Sequence, residues 1–389
     1  MTDVEVTPGS QAALRRANQQ RVVDALSSGG TLTQAELARG TGLSPASVSN
    51  IVRNLRAAGT VSVRETSSNG RRARAVTLIR PPGAVVALDF TLDRLTAALG
   101  DSQGSVLARE SIAYDTGAEP ERAVRRAVWL VETLLTRLRV DHATIAAATA
   151  SVPGPVDLGT GEIGAITCMP RWAGFRPAQA LSARLRVPVQ AENDANLCAL
   201  AEMRGGAAAG CEHLIYVHIS EGVGAGIVVN GRLFRGAGGT AGEIGHIGLD
   251  ERGQVCRCGN RGCLETVLGS PYLLGMLPQQ GEQTPANVSQ LVAAAEEGDP
   301  GCRRVVAEAG AALGRGLGVL ANTFNPELVV LGGELMEAGE ALLEPVRRSL
   351  ELGTLGSALS QMGIVRGDLG DDAALRGALL LAAAAAAET

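Results

Sequence analysis

The segment 242–265, GEIGHIGLDERGQVCRCGNRGCLE, places one histidine and three cysteines in the pattern His-x9-Cys-x-Cys-x4-Cys. Four nitrogen and sulfur ligands with no open position are typical of a structural, tetrahedral zinc site. There are two alternatives to a zinc site. One is a disulfide, which a reducing compartment disfavours, and the other is a set of free cysteines that only lie near one another. The spacing favours zinc, with the ligands His246, Cys256, Cys258 and Cys263.

Carboxylates and amides flank the predicted metal site. Glu243 precedes His246 by three residues, and Glu265 follows Cys263 by two. The earlier segment Glu192-Asn-Asp-Ala-Asn196 adds further groups of the same kinds. Such groups make the hydrogen bonds that a polyhydroxylated ligand requires. The sequence therefore predicts a sugar-like ligand, provided that the fold brings these segments together.

Short apolar segments alternate with segments of helical length over most of the chain, and this alternation is typical of an α/β domain. Pro81-Pro82-Gly83 is the strongest linker signal, because prolines and glycine interrupt regular structure. We therefore predict a head at 1–80, a linker at 81–83 and a body at 84–389. In the body we predict a long helix at Glu119–Val140 and strands at Val85–Phe90, Thr96–Leu99, Val106–Ala108, Ile145–Ser151, Val187–Ala191, Leu214–Ile219, Gly226–Val229 and Leu328–Leu331.

The head has the pattern of a helix-turn-helix. Ala38, Gly42 and Val48 supply a small residue in one helix, a left-handed residue at the turn and an apolar anchor in the next helix. Two predicted strands, Val61–Arg64 and Ala75–Ile79, follow as a basic hairpin. A helix-turn-helix with such a hairpin predicts a winged DNA-binding domain.

Local signals give the helix boundaries of the head. A first helix is predicted around Leu14 to Leu26, and a capping box from Thr33 to Glu36 opens the second. Ser44 as N-cap and Pro45 open the third, which is the predicted recognition helix. Its exposed face and the basic hairpin supply the predicted DNA contacts: Ser44, Ser47, Asn50, Arg53 and Asn54 on the helix, and Arg71, Arg72 and Arg74 in the wing.

Charge is distributed unevenly along the chain. Residues 1–80 contain 11 arginines and 5 acidic residues, which gives a net charge of +6. Since the whole chain carries −5, the remainder carries −11. A basic head on an acidic body favours nucleic-acid binding by the head.

No membrane association is expected. The longest apolar run, Ala378–Ala387, is well short of the roughly 20 residues that span a bilayer. Residues 1–10 contain no basic segment followed by an apolar stretch, so no signal peptide is expected. We expect a cytoplasmic, nucleoid-associated protein.

Four segments together resemble the ROK family of repressors, open reading frames and sugar kinases, including its xylose-repressor-type and N-acetylglucosamine-repressor-type members. They are Ser151–Asp157, Glu192–Asn196, Gly242–His246 and Cys256–Glu265, and they follow the order and spacing of that family from about residue 84 to the C-terminus.

This resemblance implies an α/β body with an actin-like, ribonuclease-H-like fold of two lobes and a sugar in the cleft between them. It implies a first lobe at about 84–190 and a second lobe at about 191–370. It also implies that a C-terminal helix, at about 371–388, packs back on the first lobe.

By position, the resemblance assigns the sugar ligands. Asp194 matches the base that deprotonates the accepting hydroxyl in kinase members, and Gly154 matches a loop glycine whose backbone approaches the sugar. His246 matches a zinc ligand that also borders the sugar. The complete predicted set is Gly154, Asn193, Asp194, Glu243, His246 and Glu265.

Both phosphate loops depart from the kinase pattern. The family's first loop is Asp-x-Gly-Gly-Thr-Lys, where this chain has Asp89-Phe-Thr-Leu-Asp-Arg94; the second is Gly-Thr-Gly-x-Gly, where it has Ser220-Glu-Gly-Val-Gly224. Each loop gains a carboxylate, which costs roughly 4 kcal/mol at about 4 Å from a phosphate charge if the effective dielectric is about 20. We therefore expect no ATP cofactor and no catalytic residue, with Asp194 acting only as a sugar ligand.

Head and body together predict a sugar-responsive transcriptional repressor of carbohydrate-metabolism genes. Its expected partners are double-stranded operator DNA, a small sugar or sugar derivative, and further copies of the chain. A homodimer or homotetramer is expected because two heads must lie about 34 Å apart to bind two half-sites.

Two alternatives remain open from the sequence. One is a ROK-type sugar kinase with an appended DNA-binding head. The other keeps DNA binding but leaves the cleft unoccupied, or uses a sugar phosphate that Arg171 and Arg176 hold beside Trp172. The simpler interpretation of these three residues is two surface arginines and a packing tryptophan.

Overall fold

A computed structural model describes residues 18–19, 21–23, 25–26, 30–57, 61–68, 71–78, 83–277 and 284–388, with the backbone alone at 67–68, 71–73 and 78. The chain divides into two units, Met1–Pro82 and Gly83–Thr389, which we call the head and the body. Among the described residues, no helix is both long enough and apolar enough to cross a membrane.

The described part of the head includes the helices α1 (Gln34–Thr41) and α2 (Pro45–Ala57), further helical residues before them, and a three-stranded antiparallel sheet. The sheet has the order β1-β3-β2, with β1 at Leu32–Thr33, β2 at Val61–Ser68 and β3 at Arg71–Leu78. Residues 18–19, 21–23 and 25–26 are helical, and Leu14 of the predicted first helix lies outside the described residues.

Local capping sets the boundaries of α1 and α2. The Thr33 hydroxyl accepts a hydrogen bond from the backbone N–H of Glu36, and the Glu36 carboxylate accepts one from the backbone N–H of Thr33. The Ser44 hydroxyl accepts a hydrogen bond from the backbone N–H of Ser47 at 3.1 Å. Gly42 has φ 68°, a conformation that glycine adopts without strain. The predicted capping box, N-cap and turn are confirmed.

A small apolar core holds the head together. Val48 of α2 and Leu37 of α1 are fully buried in one apolar cluster, to which Val22, Leu26 and Val76 also belong. Two expectations are corrected here. The strands of the hairpin are longer than predicted, and β1 was not predicted, because a two-residue strand carries no periodicity.

The first lobe of the body is built on a five-stranded sheet with the order β6-β5-β4-β7-β8. Strands β4, β5 and β6 are antiparallel, whereas β7 and β8 run parallel to β4. The strands are β4 (Ala84–Phe90), β5 (Arg94–Gly100), β6 (Val106–Ala113), β7 (Ile145–Val152) and β8 (Val189–Asn193).

Alternating side chains of β4 supply two cores, as the period of a strand requires. Val86, Leu88 and Phe90 pack on the face covered by α3 (Pro120–Leu138) and α4 (Pro177–Leu185). Val85 and Ala87 pack on the opposite face against α12 (Ala373–Glu388). The C-terminal helix therefore packs on the sheet of the first lobe.

The second lobe repeats this plan. Its sheet has the order β11-β10-β9-β12-β13, with three antiparallel strands followed by two that run parallel to β9. The strands are β9 (Leu214–Ile219), β10 (Val223–Val229), β11 (Arg232–Leu233), β12 (Leu328–Gly332) and β13 (Gly363–Arg366). The helices are α6 (Glu265–Leu268), α7 (Ser270–Gly275), α8 (Val288–Glu297), α9 (Pro300–Phe324), α10 (Glu340–Gly353) and α11 (Gly356–Leu359).

Helix α5 (Asp194–Gly205) packs against both lobes. Two glycines permit this close approach. A Cβ atom on Gly226 of β10 would lie 2.4 Å from the carbonyl oxygen of Ala195, and one on Gly377 of α12 would lie 2.0 Å from that of Leu197. The residues at the start of α5 are thereby held between the two sheets.

All eight strands predicted in the body are present, and Leu214–Ile219 has the predicted bounds, but one or both ends of each of the others differ. The strand predicted at 187–191 is β8 at Val189–Asn193, so it runs past the approximate lobe boundary at residue 190 and ends where α5 begins. Strands β11 and β13 were not predicted, since they have two and four residues and lie at opposite edges of one sheet.

Candidate functional site

The junction between β8 and α5 carries two of the predicted sugar ligands. Asn193 ends β8 and caps α5, because its side-chain oxygen accepts a hydrogen bond from the backbone N–H of Asn196 at 3.1 Å. Its side-chain amide donates to the carbonyl oxygen of Gly154 at 3.2 Å. Asp194 is the first residue of α5 and accepts from the N–H of Ala195 at 2.7 Å. The helix start therefore presents a fixed amide and carboxylate.

The loop glycine and the second lobe supply the other predicted ligands. Gly154 has φ 123°, and a Cβ atom there would lie 3.0 Å from the side chain of Thr167. Glu243 precedes a short 3-10 helix, Ile244–His246, and Glu265 begins α6. All six predicted residues line one cleft of the body: Gly154, Asn193, Asp194, Glu243, His246 and Glu265.

Several residues that line this cleft were not predicted. Arg257 donates to the Glu265 carboxylate from Nε at 2.8 Å and to the carbonyl oxygen of Glu221 from Nη2 at 3.0 Å. Its position between two predicted metal ligands was a usable signal. His218 had no such signal, since it lies within an ordinary apolar strand. The remaining lining residues are Pro153, Ile166, Thr167, Cys168, Ser220, Gly222, Val223 and Gly224.

The carboxyl groups of the cleft are held in a poorly solvated environment. Burial raises the pKa of Asp194, and nearby His218 acts in the opposite direction. Burial also raises the pKa of Glu243 to about 7, and the negative charges of Asp194 and Glu265 add to this rise. Removal of water strengthens each hydrogen bond that these groups make to a ligand.

The predicted metal ligands converge beside the cleft. The ligand atoms of His246, Cys256, Cys258 and Cys263 all lie within 4.8 Å of one another. Nδ1 of His246 lies 3.5 Å from the sulfur of Cys256, and the sulfurs of Cys258 and Cys263 are 3.6 Å apart. These four residues form a candidate metal site whose donors and spacing fit a tetrahedral ion.

The two nitrogens of His246 face different groups. Nδ1 faces the cysteines, whereas Nε2 lies 3.7 Å from the Glu243 carboxylate. Arg257 lies between the ligands Cys256 and Cys258 and binds Glu265. The candidate metal site is therefore connected to both glutamates of the cleft.

The turn that corresponds to the first phosphate loop is tied to its own lobe. The N–H of Thr91 donates to the carbonyl oxygen of Arg94 at 3.1 Å, and the N–H of Thr116 donates to that of Leu92 at 3.1 Å. The Thr116 hydroxyl donates to the carbonyl oxygen of Thr91. Leu92 packs on the first-lobe core.

The second loop is similarly tied to the second lobe. The N–H of Ser220 donates to the carbonyl oxygen of Gly222 at 2.9 Å, and the carbonyl oxygen of Ser220 accepts from the N–H and hydroxyl of Ser270. Glu221 is an exposed residue, but the surrounding protein removes part of the water around its carboxyl and so raises the pKa of that group, while the charge of Arg257 opposes the rise.

The alternative phosphate site around Trp172 differs from the expectation. Trp172 is fully buried, packs on Phe90 with ring centroids 5.1 Å apart, and donates its indole N–H to the carbonyl oxygen of Thr116. Arg176 binds the Glu162 carboxylate through Nε at 3.0 Å. Neither Arg171 nor Arg176 is among the residues that line the cleft. The tryptophan is a packing residue.

The predicted DNA contacts of the head lie on α2 and β3. Asn50, Arg53 and Asn54 are exposed on α2, and Arg53 donates a hydrogen bond to Asn50. The hydroxyls of Ser44 and Ser47 are 2.9 Å apart, so both belong to the cap at the start of this helix. Arg74 is exposed on β3; Arg71 and Arg72 lie on the same strand, with side chains outside the described residues.

Comparison with known proteins assigns both units. The model of the ROK family matches residues 85–385. The chain belongs to the ROK family. The model of the MarR family matches residues 15–73, so the head is a winged helix-turn-helix of the MarR type.

Relatives with both units are transcriptional regulators. The DNA-binding transcriptional dual regulator NagC of Escherichia coli is 30% identical over 94% of this chain and 93% of its own. The xylose repressor of Caldicellulosiruptor bescii is 29% identical over 87% of this chain and 88% of its own. The crystal structure of a ROK family transcriptional regulator, described as a homolog of the E. coli MLC protein, has a TM-score of 0.78 at 25% identity and covers 96% of this chain and 97% of that one.

ROK kinases match the body alone. The ROK hexokinase of Thermus thermophilus is 32% identical with a TM-score of 0.65, and it covers 79% of this chain but all of its own. The body therefore has the actin-like ROK kinase fold. Because this ROK chain also carries a DNA-binding head, it is a transcriptional regulator, and the kinase alternative has less support.

Proposed function

We propose that this ROK regulator is a repressor whose operator binding changes when a sugar occupies the cleft of the body. One observation carries the proposal: Asn193, Asp194, Glu243 and Glu265 come from three separate segments of the sequence and line the same cleft. Carboxylates accept hydrogen bonds from hydroxyls, and an amide both donates and accepts. The donor and acceptor set therefore matches a polyhydroxylated ring.

We propose that the candidate metal site holds structural zinc. Three thiolates and one imidazole nitrogen are ligands that zinc prefers, and no position is left for a reacting water. When bound, the ion supplies cross-linking rather than catalysis. The protein residues around it then do the positioning, since His246 faces Glu243 and Arg257 faces Glu265.

We propose that the body has lost kinase chemistry and that Asp194 is a sugar ligand without a catalytic task. In the first phosphate loop, Leu92 packs on the core, and the backbone N–H of Thr91 already donates to the carbonyl oxygen of Arg94, so it is engaged within its own turn and not free for a phosphate. In the second, Glu221 brings negative charge where a phosphate would bind. A kinase with a regulatory head remains the alternative, and release of ADP that requires the sugar would establish it.

The head provides the proposed contact with operator DNA. Asn50, Arg53 and Asn54 of α2 face solvent on the helix that enters the major groove in this fold. Arg74 on β3 suits a phosphate contact. Because palindromic operators present two half-sites, we propose a homodimer or homotetramer that acts on the chromosome in the cytoplasm.

A thermal-shift panel tests the proposed effector site. Xylose and N-acetylglucosamine are the first probes, since relatives are named for them, and each is measured with and without magnesium-ATP. A ligand that binds only the folded state raises the melting temperature by mass action. We expect a sugar to raise it with no further rise from ATP, and a further rise that requires ATP favours the kinase.

The Asp194→Asn variant makes the test specific to the cleft. We expect it to abolish the shift given by the sugar and the change in operator binding, because an amide cannot replace both oxygens of the carboxylate. The matched control is Asp368→Asn, an exposed position after β13. A normal sugar response in Asp194→Asn would reject the assignment.

A further inference from the structure

The side of α2 that faces away from the core of the head carries two polar side chains at its centre. Three residues mark the buried side: Val48, Val52 and Leu55. Since a helix has 3.6 residues per turn, Asn50 and Arg53 lie on the opposite side, and both are exposed. Ala46 and Ala57, one turn before Asn50 and one turn after Arg53, are exposed on the same side. Asn50 and Arg53 therefore occupy the middle of the surface that α2 presents to a partner.

A hydrogen bond joins these two side chains. Nη2 of Arg53 donates to Oδ1 of Asn50, which lies three residues earlier on the same helix. Long side chains of a helix point back toward its N-terminus, and this bond fixes the guanidinium beside Asn50. In a helix-turn-helix the N-terminal part of the second helix contacts the base edges in the major groove. The bond therefore directs the Arg53 guanidinium toward the bases.

The neighbouring polar residues of α2 are less suited to that contact. The Ser44 hydroxyl accepts from the backbone N–H of Ser47, and the two hydroxyls are 2.9 Å apart, so both serines are engaged in the cap. Arg56 is exposed, but it lies roughly 60° around the helix from Arg53 and roughly 120° from Asn50. That position suits the sugar-phosphate backbone at the side of the groove.

The donors of the Arg53 guanidinium match one base. Oδ1 of Asn50 uses one of its five N–H donors, which leaves two for a bidentate contact. In the major groove guanine presents two adjacent acceptors, N7 and O6. Adenine and cytosine place an amino donor there, and thymine presents one acceptor beside a methyl group. Guanine is therefore the base that accepts both hydrogen bonds.

We infer that Arg53 binds a guanine in each half-site of the operator and that Asn50 is a positioning residue that orients the guanidinium. The inference rests on the proposed function, since it describes the operator that the same head binds. Asn50 does not bind adenine in this arrangement. That contact needs both the oxygen and the amino group of the asparagine side chain, and the oxygen already accepts from Arg53.

Selection followed by base analogues tests the guanine contact. The full chain first selects its sites from a pool of random double-stranded DNA, and each guanine of the selected half-site is then replaced in turn. The analogue 7-deazaguanine lacks the N7 acceptor, whereas inosine keeps N7 and O6 and loses only the amino group of the minor groove. At one guanine of each half-site, we expect 7-deazaguanine to weaken binding at least about 5-fold and inosine to change it less than about twofold.

The Arg53→Ala variant shows whether Arg53 makes that contact. We expect 7-deazaguanine at the same position to change its binding less than about twofold, because the partner of N7 is gone. Low salt keeps the weakened complex measurable. The matched control is Arg56→Ala, at an exposed arginine of the same helix, which keeps the full effect of 7-deazaguanine. A selected half-site without guanine, or no guanine whose 7-deaza effect depends on Arg53, would overturn the inference.

Two variants of Asn50 separate positioning from a direct base contact. Asn50→Ala removes the acceptor that orients Arg53, so we expect the preference for guanine over adenine to fall severalfold at the Arg53 position alone. Asn50→Asp retains an acceptor oxygen and should retain that preference, although its charge weakens binding to every duplex. An unchanged preference in Asn50→Ala, or a loss of preference at a second base position, would reject the positioning role.

The proposed function and this inference fail differently. If the selection enriches no sequence and the chain binds all duplexes alike, the proposed function is contradicted and the guanine contact falls with it. If a sequence is enriched but binding to its guanines does not depend on Arg53, the proposed function stands and the inference alone is rejected.

Discussion

The Glu192 carboxylate accepts a hydrogen bond from Nε of Arg235 at 2.5 Å, and this ion pair joins the two lobes of the body. Glu192 belongs to β8 of the first lobe, and Arg235 follows β11 of the second. The other oxygen of Glu192 accepts hydrogen bonds from the backbone of Asn193 and the side chain of Asn196. The pair therefore fixes the start of α5, which carries Asp194, against the second lobe.

Replacing Arg235 by alanine leaves a carboxylate that is 8% exposed without its counter-ion. Breaking a buried pair on one side costs about 3–5 kcal/mol. Since the Arg235 side chain keeps 30% exposure, we expect a loss near the lower end, about 3 kcal/mol in the free energy of unfolding. Sugar affinity falls as well, because Asn193 and Asp194 lose their fixed position. Urea unfolding and calorimetry measure the two effects.

The control for that variant is Arg304→Ala. Arg304 on α9 pairs with Glu308 one turn later and is 79% exposed. Exposed pairs contribute less than about 1 kcal/mol. Similar losses of stability in both variants would mean that the pair between the lobes has no special role.

We expect Asp89 to make the stability of the body depend on pH. It lies near the end of β4, and burial raises its pKa from 3.8 to about 6. Because the folded state binds the proton more tightly than the unfolded state, this contribution is present below about pH 4 and lost as the pH rises through 6. The Asp89→Asn variant has a side chain that does not ionise, so its stability does not fall in this way as the pH rises. We expect the variant to be more stable by about 3 kcal/mol near pH 8 but by only about 1 kcal/mol near pH 4.5.

Urea unfolding at the two pH values gives the difference directly. Asp368→Asn, at an exposed position, is the matched control and should show no such change. A gain that is the same at both pH values would show that packing, and not proton binding, explains the effect.

Arg74 in the wing and Asn54 on α2 are expected to act differently on DNA. Loss of a phosphate contact in Arg74→Ala weakens binding to all sequences alike. It also reduces the slope of the logarithm of the binding constant against the logarithm of the salt concentration by about one. Loss of a base contact in Asn54→Ala costs about 1–3 kcal/mol at one position of the operator and relaxes its specificity there. Fluorescence anisotropy over a salt series and a set of operator variants separates the two patterns. The same signature from both variants would contradict the assigned roles.

The features that could be predicted from the sequence are those whose causes lie within a short segment. The capping box at Thr33, the left-handed Gly42 and the spacing of the metal ligands each lie within one short segment, so their geometry follows from neighbours. The nearly continuous apolar run of β4 predicted its strand, and both of its faces are buried. Family motifs then indicated which distant segments share a cleft.

The remaining features depend on contacts between distant segments. Glu192 and Arg235 are 43 residues apart, and nothing in either segment indicates their pairing. Arg176 belongs to a loop that suggested a phosphate site, yet its partner is Glu162. Such pairings depend on tertiary packing. A local sequence pattern carries no information about that packing, so it could not predict them.

The candidate metal site is expected to support the sugar cleft without supporting the head. Cys258→Ser removes one ligand, and structural zinc contributes several kcal/mol of folding free energy. We therefore expect bound zinc to fall from about one ion per chain, the melting temperature of the body to drop, and the sugar response to be lost, because Glu243 and Glu265 lose the support of His246 and Arg257. The head has its own core and belongs to the other unit, so DNA binding should persist.

Cys211→Ser, at a half-buried cysteine outside the candidate metal site, is the matched control. Metal analysis, calorimetry and anisotropy on the same samples test the chain of effects, and a full sugar response without zinc would contradict it.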